Sequence, residues 1–185
     1  MIAPVFVDTN ILVYARDASD VAKQATAEEW LRRLWIEQRG RTSVQVLSEY
    51  YTVLTRKLKP GLKPHEAWED VTALLAWEPQ AIDGHALARA RAVEERHGFG
   101  WWDCMIVAAA QLQDCEVLLT EDLQHGLQCG GVTIQNPFAA AIAEPQAAYG
   151  AAPRRVSRHR PRGRPAGDAA QSTRWAARGE PHRDG

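Results

Sequence analysis

Two short apolar runs with no internal alternation, Val5-Phe6-Val7 and Val117-Leu118-Leu119, constrain this chain more than any other feature. A strand with one wet face alternates apolar and polar residues; a strand covered on both faces does not. Val132-Thr133-Ile134 adds a third strand, and Glu78 to Ile82 has the character of a fourth, short one. Between them the apolar positions recur every three or four residues, the period of amphipathic helices. They are Ala27, Trp30, Leu31, Leu34 and Trp35 within 22–38, then Val44, Leu47, Tyr51, Leu54 and Leu58, then Ala67, Trp68, Val71, Leu74 and Leu75, then Ala86, Leu87, Ala90 and Val93. A last helix starting near Trp102 is apolar nearly all round through Cys104–Ala110, as a helix buried on more than one side must be. Unalternating strands interleaved with helices predict a three-layer α/β/α arrangement around a mainly parallel sheet.

Punctuation supports these elements. Thr9 or Asn10 can cap a helix after the first strand, and Gly40 follows the second helix as a stop. Thr42 and Gln45 have capping-box spacing for a helix starting near Ser43, which Pro60-Gly61 ends. Pro64 suits the first turn of the next helix, and His97-Gly98 closes the one after it.

Composition divides the chain. Residues 139–185 hold 13 Ala and 9 Arg but only Ile142, Tyr149, Val156 and Trp175 as large apolar or aromatic side chains, too few to offset the ordering entropy of that length. The expectation is a folded domain over 1–138 and a disordered Ala/Arg/Pro-rich basic tail over 139–185. Residues 1–150 carry 13 basic and 20 acidic side chains, a net −7, and residues 151–185 carry 9 and 3, a net +6. No apolar run reaches the ~18 residues that would span a bilayer, so no membrane role is expected. The start, Met1-Ile2-Ala3-Pro4, lacks a charged n-region and an apolar h-region, and Cys104, Cys115 and Cys129 form neither an even disulfide set nor a CxxC pair. A cytoplasmic protein is expected.

Four acids stand apart from those on polar helix faces. Asp8 ends the first strand and Asp122 lies just past Val117–Leu119; in a parallel sheet both sit at carboxyl ends of strands, where ligands bind. Glu49 interrupts an apolar stripe between Val46 and Val53, and Asp103 stands in the same relation to Ile106, Val107 and Ala110. A buried, isolated carboxylate is too costly to leave unpartnered, and Lys and Arg cluster elsewhere, at Arg32-Arg33 and over 56–63. Any one of these acids alone reads as a helix cap or a solvated side chain. Together they suit a hard, oxygen-seeking cation, Mg²⁺ or Mn²⁺, and hence phosphoryl chemistry.

The stretches Phe6-Val7-Asp8-Thr9-Asn10-Ile11-Leu12-Val13-Tyr14-Ala15, Ser43-Val44-Gln45-Val46-Leu47-Ser48-Glu49-Tyr50-Tyr51, Trp102-Asp103-Cys104-Met105-Ile106-Val107-Ala108-Ala109-Ala110 and Leu118-Leu119-Thr120-Glu121-Asp122-Leu123 occur in the order and spacing of a known family. Over residues 1–138 the chain resembles a PIN domain, in particular the VapC-type toxin ribonucleases of toxin–antitoxin pairs. The resemblance implies a compact α/β fold, metal-dependent cleavage of RNA, homodimerisation and inhibition by a cognate antitoxin protein. The family's metal-binding, catalytic acids fall on Asp8, Glu49, Asp103 and Asp122, with Glu121 a second candidate for the fourth. Asn10 and Thr120 match its supporting polar positions. The tail lies outside the pattern.

Lesser signals are open to two readings. The cations Arg56, Lys57, Lys59 and Lys63 suit an RNA backbone, and equally a helix C-terminus. His125 could move a proton but suits a solvated loop; Trp101-Trp102 could stack on bases but suits packing. A haloacid-dehalogenase-like phosphatase would resemble DxDxT after the first strand, and Asn10 replaces its second acid. A non-catalytic PIN-like RNA-binding module would not need all four acids. A housekeeping RNA-processing nuclease differs only in lacking an antitoxin.

Overall fold

The computed structural model describes residues 3–139; the expectation of a disordered tail therefore lies outside the described residues. In chain order the elements are β1 (Val5–Val7), α1 (Thr9–Tyr14), α2 (Val21–Glu37), β2 (Gly40–Arg41), α3 (Val44–Arg56), α4 (Pro64–Leu74), α5 (Gly84–His97), α6 (Trp101–Leu112), β3 (Val117–Leu119), β4 (Gln128–Cys129) and β5 (Val132–Gln135). The five strands form one sheet in the order β2-β1-β3-β5-β4, parallel throughout except where β4 pairs antiparallel with β5.

Phe6, Val7, Leu118 and Leu119 are completely buried. Consecutive strand residues point to opposite faces, so both faces of the sheet are covered and the mixed α/β, mainly parallel architecture follows. The helices pack in two groups: α1 against α2 and α3, with α3 also on α4; and α5 along α6, which lies on β3 and β5. α6 earns its place through an apolar circumference, with every residue from Cys104 to Ala110 buried.

The first helix is capped neither by Thr9 nor by Asn10. Asp8 is the cap, accepting from the Thr9 N–H, which frees both expected caps for the site. At α3 the cap is Ser43, accepting from Val46 N–H at 3.3 Å, and Gln45 turns instead toward Glu49. Glu78 to Ile82 is not a strand. A 3₁₀ turn over Leu75–Trp77 precedes it, and only Gln80 pairs, as an isolated bridge to Ser43. The Trp77 indole is buried over Gly40, where any side chain would overlap it. That close approach is why β2 requires glycine. Trp35 and Trp68, expected on buried helix faces, are 41 % and 59 % exposed, the burial going instead to Ala27, Leu34, Ala67, Val71 and Leu74. Among the described residues no helix is long and apolar enough to cross a membrane.

Candidate active site

The register Val7↔Leu119 sets the ends of β1 and β3 side by side, so the next residues, Asp8 and Thr120, emerge together at the carboxyl edge. Asp8 N–H donates to Leu119 O at 3.0 Å, and the Thr120 hydroxyl donates to Asp8 Oδ2 at 2.7 Å. Asp8 Oδ1 accepts from the Thr9 N–H at 2.6 Å. Asp8 as a whole is 8 % exposed. Its pKa is raised to about 6: burial is the largest cause, the hydrogen bonds from Thr120 and the Thr9 N–H oppose it, and the negative charges of Asp122 and Glu49 add to it.

Asn10, in the first turn of α1, joins the two strand ends. Its Nδ2 lies 3.3 Å from Asp8 Oδ2, 3.2 Å from Thr120 Oγ1 and 3.0 Å from Asp122 Oδ2. Thr120 Oγ1 also accepts from the Asp122 N–H at 3.2 Å, which fixes the turn that carries Asp122. Glu49 comes from α3, held by the Thr9 hydroxyl at 3.0 Å and by Gln45 Nε2 at 3.3 Å. The same Gln45 amide approaches Trp102 O at 3.4 Å, tying α3 to the start of α6, where Asp103 sits in the first turn. Asp103 is half-buried, and its pKa is raised by burial and then by Asp122 and Glu49. Asp8 and Asp103 thus feel the same two neighbours, and the four acids share one field.

Sequence reasoning about burial holds for Asp8 and in part for Asp103. Glu49 and Asp122 are exposed: the interrupted stripe on α3 marks the wall of an open cleft, where water solvates the carboxylate, not the interior of a core. Glu121 points elsewhere. Its Oε2 takes the Lys23 ammonium at 2.6 Å and its Oε1 accepts a short hydrogen bond from the Tyr14 hydroxyl. Of the neighbouring candidates, Asp122 is the one that joins Asn10 and Thr120. His125 Nδ1 accepts from Asn136 N–H at 3.1 Å, and Trp102 is 62 % exposed. Thr9 and Gln45, which the sequence marks only as helix-capping candidates, hold Glu49 instead, and the sequence gives Tyr14 and Lys23 no role in the site.

No Lys or Arg among the described residues lies within ion-pair distance of Asp8, Glu49, Asp103 or Asp122. Nor do three His, Cys, Asp or Glu side chains among the described residues come together as a group that could by itself hold a metal ion. Asn10 Oδ1 is a buried acceptor with no donor. An all-oxygen donor set, uncompensated negative charge and an orphan acceptor suited to a water fit a hydrated hard cation, which keeps several of its waters.

A family model described as PIN domain matches residues 5–126. No curated protein matches the sequence. Among solved structures, a toxin–antitoxin complex from Klebsiella pneumoniae is similar at 21 % identity and TM-score 0.53, covering 73 % of this chain and 98 % of that one. The VapC20 toxin of Mycobacterium tuberculosis, described as cleaving the sarcin–ricin loop, aligns at 22 % identity and TM-score 0.47 over 64 % and 89 %. VapBC2 from Rickettsia felis, bound to a DNA fragment from its promoter, aligns at 17 % and 0.49 over 71 % and 97 %.

Proposed function

The chain belongs to the PIN domain family, and on that premise we propose that it is a Mg²⁺- or Mn²⁺-dependent endoribonuclease, the toxin of a toxin–antitoxin pair. The observation that carries the reading is the acid cluster at the carboxyl edge of the sheet: Asp8, its pKa raised to about 6, and Glu49, Asp103 and Asp122 around it, with no Lys or Arg among the described residues paired to them. The similarity to a toxin–antitoxin complex from Klebsiella pneumoniae supports the toxin role.

Asp8, Asp103 and Asp122, with Glu49, would hold the ion. When bound, it lowers the pKa of a water and neutralises charge building on a scissile phosphate. The remaining work belongs to the chain. Thr120 and the Thr9 N–H fix the orientation of Asp8 and favour its ionised form. Asn10 holds Asp122 in register with Asp8, and Thr9 and Gln45 hold Glu49. Locking the carboxylates before substrate arrives limits the reorganisation needed in the reaction. The partners in this reading are an RNA substrate, a cognate antitoxin whose basic side chain would enter the acidic cleft, and a second copy of the chain in a homodimer.

The test is RNA cleavage by the purified protein with Mg²⁺ or Mn²⁺, with chelator, and with the metal returned. Activity that disappears with chelator and returns with metal supports the reading; cleavage indifferent to chelator refutes it.

A further inference from the structure

Beside the acid cluster a groove of about 420 Å³ runs along α3, lined by Thr9, Ser48, Glu49, Thr52, Val53 and Lys57. Glu49, Thr52, Val53 and Lys57 are spaced to lie on one helical face, and Lys57, eight residues beyond Glu49, stands about 12 Å farther along the axis. The groove therefore leads away from the acids and ends at a cation. Of the run Arg56, Lys57, Lys59 and Lys63, only Lys57 lines it. No carboxylate among the described residues pairs with Lys57. In a body that carries a net −7 over residues 1–150, an unpaired lysine at the end of a groove from the site is the place where an anionic strand gains an attractive contact.

The hydroxyls add a second constraint. Ser48 Oγ donates to Val44 O at 2.7 Å, Thr52 Oγ1 to Ser48 O at 2.9 Å, and Thr9 Oγ1 to Glu49 Oε2 at 3.0 Å. With their protons committed, these groups present lone pairs to the groove. A phosphate, which only accepts, gains nothing from them; a ribose 2′-hydroxyl, which can donate, does. Among the described residues, none that lines the groove has an aromatic ring to stack a base or a side-chain amide to read one.

Resting on the nuclease reading above, we propose that this groove is a ribose-phosphate track. Lys57 takes a backbone phosphate, and Ser48 and Thr52 accept hydrogen bonds from 2′-hydroxyls, so that this face selects single-stranded RNA over DNA without reading sequence.

The experiment measures binding of labelled single-stranded RNA and DNA oligonucleotides of one sequence to the full chain. Ca²⁺ is present to screen the carboxylates, strand integrity is checked on a gel, and salt is varied. Wild type should bind RNA more tightly than DNA. Lys57→Met should weaken both about tenfold and flatten the salt dependence by about 0.7 in log–log slope, one phosphate contact on a single strand. Lys57→Arg should restore both. The Ser48→Ala/Thr52→Val double variant should weaken RNA several-fold and leave DNA unchanged. Lys63→Met, outside the groove, should match wild type in slope. The proposal is overturned if wild type binds no RNA, if Lys57→Met keeps the wild-type affinity and slope, if Lys63→Met flattens the slope equally, or if the double variant changes RNA and DNA alike. RNA cleavage in Mg²⁺ and in Mn²⁺ is scored separately. Binding with the expected signature but no cleavage refutes the nuclease reading alone, and cleavage with binding indifferent to Lys57 refutes the track alone.

Discussion

Lys23 Nζ lies 2.6 Å from Glu121 Oε2 and 2.9 Å from the Tyr14 hydroxyl, with its charge 4.3 Å from the Tyr14 ring centroid. The pair joins the first turn of α2 to the segment after β3 and draws Glu121 away from Asp122. Two adjacent acids thereby receive different surroundings: Glu121 has a cation, and Asp122 has Asn10 and the field of the other carboxylates.

Glu121→Gln and Asp122→Asn should therefore behave differently. Glu121→Gln loses a partly exposed ion pair, costing about 1 kcal/mol or less, and should cleave RNA to within a few-fold of wild type. Asp122→Asn should lower metal affinity and cleavage by more than the roughly 10–100-fold typical of residues that only support a ligand. Equal losses in the two variants would contradict this division.

Asp8 makes stability pH-dependent in the metal-free protein. Its folded pKa of about 6 stands above the ordinary 3.8, so the unfolded chain ionises first. The contribution to folding is present below the unfolded value and is lost as pH rises through the interval up to about 6, a change of up to about 3 kcal/mol. Denaturant titrations across this window should show the decline in wild type and its loss in Asp8→Asn. Thr120→Val removes a hydrogen bond that favours the ionised form and should extend the upper end of the window to higher pH, leaving its lower end at the unfolded value. Saturating Mg²⁺ should offset the decline, by about 2.7 kcal/mol at a hundredfold excess over Kd.

What was legible in the sequence depended on range. Asp8 could be read because an unalternating strand breaks there, and the carboxyl edge of a parallel sheet is where ligands bind. The α2, α4 and α5 helices could be read from their spacing and flanking signals. Glu49 was picked out, yet for the wrong reason, since an acid in an apolar stripe looks the same whether the stripe dives into a core or borders a cleft. β2 and β4 have two residues each, too short to display a period. The Lys23–Glu121 pair spans 98 residues, and Gly40 gives no local hint that Trp77 lies over it. Such relationships exist only once the chain has closed on itself.

Gly40→Ala should destabilise the domain by about 1–3 kcal/mol, since an added methyl must push into a buried indole. In a Trp77→Leu background the same change should cost less than in wild type, because the two sites share one space. Denaturation midpoints of the four proteins in the cycle check this, and strict additivity would show that the Gly40–Trp77 contact is not the cause.

The toxin reading makes a cellular prediction. Expression of the chain alone should arrest growth together with RNA cleavage, and co-expression of its cognate antitoxin should relieve the arrest. High-level expression of an active enzyme without harm would favour a processing nuclease that has no antitoxin.

The central claim is that the carboxylates act through a bound cation, and Asp103→Asn tests it most directly. The substitution keeps the shape of a half-buried side chain whose pKa is raised by burial and by Asp122 and Glu49, while removing one charge and one strong oxygen ligand. The measurement is the single-turnover rate of RNA cleavage as Mg²⁺ is titrated, in preparations free of contaminating ribonuclease, alongside the stability of the metal-free protein. The account predicts a fall in rate and in Mg²⁺ affinity together, with metal-free stability unchanged or raised. Cleavage at the wild-type rate with the wild-type Mg²⁺ dependence would contradict it.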